Sequence, residues 1–157
     1  MAMAAHMDRG LHMRLVDSLY VEAMVMADEA RSYFAVQADA DRDDLPLLAR
    51  VAFSCESLKV TTRLMHVIAW LMAQRGWQRG EITDGDIREE RYRLGEAARP
   101  DLFSLLDFPV AARTLITGSG DLYERVARLA GMMEEERDET IVEGPARALM
   151  GRLARLF

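Results

Sequence analysis

The residue types that carry chemistry are few in this chain, and their spacing does not suit catalysis. Cys55 is the single cysteine of the 157 residues and can make no intrachain disulfide. His66 follows it on the same predicted helix, about 16 Å further along at 1.5 Å per residue. The two cannot work as a nucleophile and base within one chain. Cys55 lies on an apolar stripe and reads as a small buried hydrophobe. His66 reads as a polar contact at a helix interface. His6 and His12 sit near the start of the chain, on different helix faces. Gly118-Ser119-Gly120-Asp121 invites a phosphate-loop reading but lacks the preceding strand and the Lys-Ser/Thr pair. The carboxylates of 134–139 lack the glycine turn and ligand spacing of a calcium loop and read as a solvated face. No Cys/His cluster has zinc spacing. The expectation is no catalytic residue, no metal and no cofactor. A small enzyme using His66 is the weakest alternative.

Aromatic and arginine side chains offer more. Arg63, Trp70 and Trp77 recur at seven-residue steps and so share one side of a helix. Core packing of Trp70 with Arg63 at its rim is one reading. A partner or subunit interface is the other, because Trp and Arg dominate interface energetics. The C-terminal segment adds Arg147, Arg152 and Arg155 beside Leu149, Met150, Leu153, Leu156 and Phe157. It reads as a tail, as an amphipathic helix that docks on a partner, or as a membrane-surface contact. The acidic run just before it opposes anionic lipid. The candidate protein-binding residues are therefore Arg63, Trp70, Trp77, Arg147, Arg152 and Arg155.

Charge narrows the partner class. Twenty-six acidic residues outweigh twenty basic ones, for a net charge of −6. Phosphate binding needs positive potential, so nucleic acid is not expected. A DNA-linked regulator is kept as an alternative on the arginines of 88–93 and 147–155. The longest strongly apolar stretch, 60–73, contains Arg63 and His66 and is too short to span a bilayer. No secretory signal core appears in the first thirteen residues. The expected compartment is the cytoplasm.

Helices must position these residues. Leu11, Leu15, Val16, Leu19, Ala23, Met26, Ala30 and Tyr33 recur at helical steps over about 11–38. A second helix opens near Asp44 and Pro46 and ends at Gly76 or Gly80. Its stripe is Leu48, Val51, Ala52, Cys55, Leu58, Thr62, Met65, Ala69 and Met72, widened by Leu64, Ile68 and Leu71. A stripe that wide suits a helix with neighbours on two sides. The acidic stretch 39–44 reads as a solvated loop. Thr83 with Asp86 resembles a weak capping box and predicts a short helix ending before Pro100. A last long stripe holds Val110, Ala112, Leu115, Ile116, Leu122, Val126, Leu129 and Met133, with Gly118 and Gly120 as a kink or a close-packing point. Residues 134–143 then carry six acidic residues and one Arg, and Gly144-Pro145 is expected to break the chain. The expected fold is all-α, a three-helix bundle over 10–133 with long helices, one short connecting helix and a charged tail over 134–157.

The stretch from Glu56 to Arg75, with its Thr61-Thr62-Arg63-Leu64-Met65 and Trp70-Leu71 block, resembles the signature helix of the RcdA-like family, alphaproteobacterial regulators of CtrA degradation. The likeness continues through Gly80-Glu81-Ile82-Thr83, residues 90–94, and Leu122 to Leu129. His66 stands where the family is expected to have Gln. The resemblance implies a homodimeric three-helix bundle acting as an adaptor. Its implied partners are a ClpXP-type protease complex or its response-regulator partner, and protein substrates of cell-cycle-controlled proteolysis. It also implies a C-terminal tail used in partner contact.

Overall fold

The computed structural model describes residues 2–154, with the side chains of all but 2, 5, 6 and 141–148. Three long helices, α1 (Ala2–Val36), α3 (Leu47–Gln78) and α4 (Val110–Ala154), pack against one another pairwise. The short α2 (Ala38–Asp43) joins the first two. No strand occurs among the described residues. The all-α bundle is thus as the periodicity predicts. The short helix lies in the acidic stretch 39–44, where a loop was expected.

Apolar residues at helical spacing build the centre. Val16, Leu19, Ala23, Ala30 and Tyr33 of α1 meet Val60, Leu64, Val67, Trp70 and Leu71 of α3 and Leu115, Ile116, Leu122, Val126 and Leu129 of α4. Leu11 and Leu15, assigned to the α1 stripe, face solvent. Ion pairs tie the surface: Arg125 with Glu22 joins α4 to α1, and Arg75 with Asp17, 3.4 Å apart, joins α3 to α1.

The α3 ends are fixed by local chemistry. Pro46 is its N-cap, where a missing amide costs nothing. Asp44 instead ends α2. Arg50 reaches back to the carbonyls of Leu45 (2.7 Å) and Asp43 (3.1 Å). At the other end Gly80 takes φ +78, Glu81 N–H donates to Gly76 and Gly80 N–H to Trp77. That is the paired bonding of a Schellman stop.

The helix expected over 84–98 does not form. Asp86 N–H does bond Thr83 Oγ1 at 3.0 Å, but only two 3-10 turns follow, Asp86–Arg88 and Glu90–Tyr92. The next stretch has its carbonyls taken by distant side chains. Tyr123 donates to Gly95, Arg63 to Ala98 and Lys59 to Arg99. These partners replace internal helical bonds. Gly95 also lies against the His66 ring, so close that a β-carbon there would fall 2.1 Å from Nδ1.

Helix α4 crosses two features expected to end it. It runs through the acidic change at 134 and through Gly144-Pro145. The residues around that dipeptide are mostly Glu, Arg, Ala, Leu and Met, strong helix formers. Gly118 and Gly120 are both inside α4. A β-carbon at 120 would meet Pro100 Cγ at 2.9 Å, whereas one at 118 would meet only the flexible end of Met26 at 3.4 Å. The two glycines therefore predict opposite outcomes. Gly120→Ala should lose about 1–2 kcal/mol through overpacking. Gly118→Ala should be neutral or gain up to about 1 kcal/mol from helix propensity. Urea melts of both variants check the signs.

Candidate protein-interaction site

Helix α3 has two apolar faces with different tasks. Its inner face carries Phe53, Glu56, Val60, Arg63, Leu64, Val67, Trp70, Leu71 and Gln74, all buried. Three of these are polar, and each is anchored. Arg63 is only 1% exposed. Its guanidinium donates to Ser119 Oγ (3.1 Å), Ile116 O (3.3 Å) and Ala98 O (2.8 Å). Burial pulls its pKa down, and the charge of Glu56 opposes that pull. Glu56 Oε1 accepts from Lys59 Nζ (2.7 Å) and from Asp101 N–H (3.2 Å). Arg63 and Glu56 together strap the 95–101 segment onto α3 and α4.

Arg63 and Trp70 are therefore bundle residues and present no surface to a partner. Trp70 is 3% exposed and packs in the core. The core-packing reading applies to both. Trp77 differs. It is half-buried at the end of α3, where its indole N–H donates to Asp84 Oδ1 at 2.7 Å. Arg9 and Arg137 stack over its ring, 4.4 and 4.6 Å from the centroid. Arg152 is exposed on α4. The side chain of Arg147, and Arg155 altogether, lie outside the described residues.

The outer face of α3 holds most of the apolar stripe read from the sequence. Leu48, Val51, Leu58, Met65 and Met72 are 55–84% exposed. Cys55, assigned to the core, is exposed. Ala69 is exposed and Thr62 half-buried. The stripe points outward because the bundle buries the opposite side of the helix. The series 48, 51, 55, 58, 62, 65, 69, 72 alternates steps of three and four residues. That alternation is the 3.5-residue period of a coiled-coil seam. It runs about 36 Å along the helix and carries no charged residue. Its flanks carry few charges, with Ala52, Ser54, Thr61, Ile68 and Ala73 beside Lys59, His66 and Arg75, the last turned to Asp17 of α1. Exposed apolar stretches of this extent mark interaction sites.

Among the described residues, the candidates for chemistry do not come together. Cys55 points outward while His66 packs on Gly95. A cleft of about 410 Å³ is lined by Arg63, Pro100, Tyr123 and Glu124 but not by His66. Among the described residues no three His, Cys, Asp or Glu side chains gather as metal ligands, and no helix is long and apolar enough to cross a membrane. In the 88–93 arginine group, Arg91 is engaged by Glu89 at 2.7 Å and by the Tyr92 ring. His12, set aside near the chain start, in fact joins α1 to α4, its Nδ1 3.0 Å from Glu136 Oε2.

A family profile described as a protein of unknown function (DUF1465) matches residues 7–157. The fold and sequence are also similar to RcdA from Caulobacter crescentus CB15, whose crystal structure shares 30% identity with a TM-score of 0.60. That match covers 73% of this chain and 87% of the RcdA chain. The chain belongs to the RcdA-like family. No curated protein matches the sequence significantly. Within this RcdA-like bundle, the Arg63–Ser119 contact gives the Gly118-Ser119-Gly120 run a structural task. The run lets α4 approach the strapped segment and supplies the hydroxyl that Arg63 holds. Arg63→Met should cost about 3 kcal/mol or more, because Ala98 O and Ser119 lose a buried charged donor. Arg63→Lys should not restore it, since one ammonium cannot span three acceptors in a fixed fork. Guanidinium unfolding midpoints of the two variants, falling together below wild type, check this.

Proposed function

We propose that this protein is a non-enzymatic adaptor of regulated proteolysis. It works as a homodimer in the cytoplasm and delivers protein substrates to an ATP-dependent ClpXP-type protease or its response-regulator partner. The relation to RcdA, a regulator of degradation, supports the process. The uncharged heptad seam on the outer face of α3 is the observation that carries the mode of action, which is protein contact. Its period suits another long helix, and its length matches α3 itself. An always-exposed seam is an association hazard, and the partner always present with the chain is its own copy. Low charge on the flanks leaves little repulsion against self-pairing. A second contact is the C-terminal segment of the sequence, whose Arg147, Arg152 and Arg155 give the adaptor a basic contact for a partner. Two contacts on one body raise the effective concentration of substrate at the protease without chemistry.

The seam and the tail are tested separately. Light scattering on the full chain should give twice the chain mass, and Met65→Glu should give a folded monomer with an unchanged helical spectrum. A monomeric wild type at high micromolar concentration would contradict the dimer. Because Glu136 and Arg137 pack on the bundle, the tail is tested by charge reversal rather than deletion. Arg→Glu at 147, 152 and 155 together should weaken capture of the protease or response regulator in a reconstituted ATP-dependent degradation assay. Unaltered capture and delivery would remove the tail from the account. Failure of the wild-type chain to accelerate degradation of any tested substrate would overturn the adaptor reading.

A further inference from the structure

Around the Trp77 indole of α3, arginines from two other helices converge without forming an ion pair. Arg9 of α1 and Arg137 of α4 both stack on the indole. Arg137 is half-buried, and its one hydrogen-bond partner is neutral, Gln74 Oε1 at 2.5 Å. Beside it, a cleft of about 360 Å³ is lined by Arg9, Met13, Arg14, Asp17 and Gln78. Of the carboxylates nearby, Asp17 is engaged by Arg75, Asp84 by the Trp77 indole and Glu136 by His12, while Glu134 also lies in the field of Arg137. Among the described residues, Arg9, Arg14, Arg88 and Arg137 form no ion pair. Burial, with Arg88 and Arg9 nearby, holds the Arg137 pKa below its ordinary value, against the pull of Glu134 and Glu136.

We propose that the cleft between α1 and the Trp77 end of α3 receives an acidic peptide segment, with carboxylates held by Arg9 and Arg14. Guanidinium forks match carboxylates in two-point contact. The spacing favours a peptide over a single compact anion. Arg9 and Arg14 are five residues apart on α1, about 7.5 Å along its axis. They are also about 140° apart around that axis, so they stand on separate rims of the cleft, and a segment laid in it can offer a carboxylate to each. Met13, between them, offers an apolar floor for the intervening backbone. The inference extends the protein-contact reading above to a second surface and a named partner chemistry, and it stands on the full chain whether or not α3 dimerises.

The indole N–H resonances of Trp70 and Trp77 report on the site separately. The probe is an acetylated, amidated peptide with glutamates at alternate positions, titrated into the full chain. The Trp77 resonance should move and saturate while that of the buried Trp70 stays in place. Binding should weaken about fivefold in Arg9→Gln and in Arg14→Gln, and again on raising ionic strength to about 0.5 M. Both arginines are exposed, and thermal melts at the wild-type midpoint verify that the variants are folded. Equal affinity for the Met65→Glu monomer supports the site independently of the dimer. An unmoved Trp77 resonance overturns the proposal. So does a response to inorganic phosphate with none to the peptide, or wild-type affinity for the peptide in both arginine variants.

Discussion

The structure depends on one buried guanidinium. Arg63 is placed at the centre of α3 and gives its donors to α4 and to the segment between the helices. A buried charge is costly unless its donors are met, and here three neutral oxygens meet them. Their geometry sets much else. Ser119 must lie inside α4 facing α3, and Gly120 must let Pro100 come close. Residues 95–101 must run extended so that the Ala98 carbonyl is free. Replacing the arginine with an apolar residue would remove the reason for all three.

That anchorage also fixes the rotation of α3. With Glu56, Arg63 and Gln74 turned inward, the helix must turn Leu48, Leu58, Met65 and Met72 outward. The polar inner residues take partners in the bundle, and the more uniformly apolar stripe is left on the surface. At the far end of the helix, the same inward row continues through Gln74 to Arg137, whose charge no carboxylate pairs. One helix thus supplies the core, an uncharged seam and one wall of a cationic cleft.

Much of this was legible in the sequence, and the parts that were not have definite physical causes. The three long helices follow from runs of apolar residues at three- and four-residue steps, and Gly80 marks the end of α3 as its φ requires. Which stripe of α3 faces inward was not legible. The buried stripe contains Glu56, Arg63 and Gln74, so it looks less apolar than the exposed one. The alternation of three and four from Leu48 to Met72 was the available signal, because that period belongs to pairing with another helix. Residues 84–98 look helical locally, but Tyr123 and Arg63, from far along the chain, take the carbonyls of Gly95 and Ala98. The aromatic and arginine candidates divide for the same reason. Arg63 and Trp70 share a helix side with Trp77, but the core covers the first two and leaves the third at the bundle end.

The proposed dimer covers the outer face of α3 with a second copy. Cys55 lies on that seam and is the chain's single thiol, so it reports coverage without a substitution. Its second-order rate of reaction with a maleimide should fall as protein concentration rises from nanomolar to micromolar, and should stay high at all concentrations in Met65→Glu. A rate that is equally fast across that range in the wild-type chain would contradict the claim.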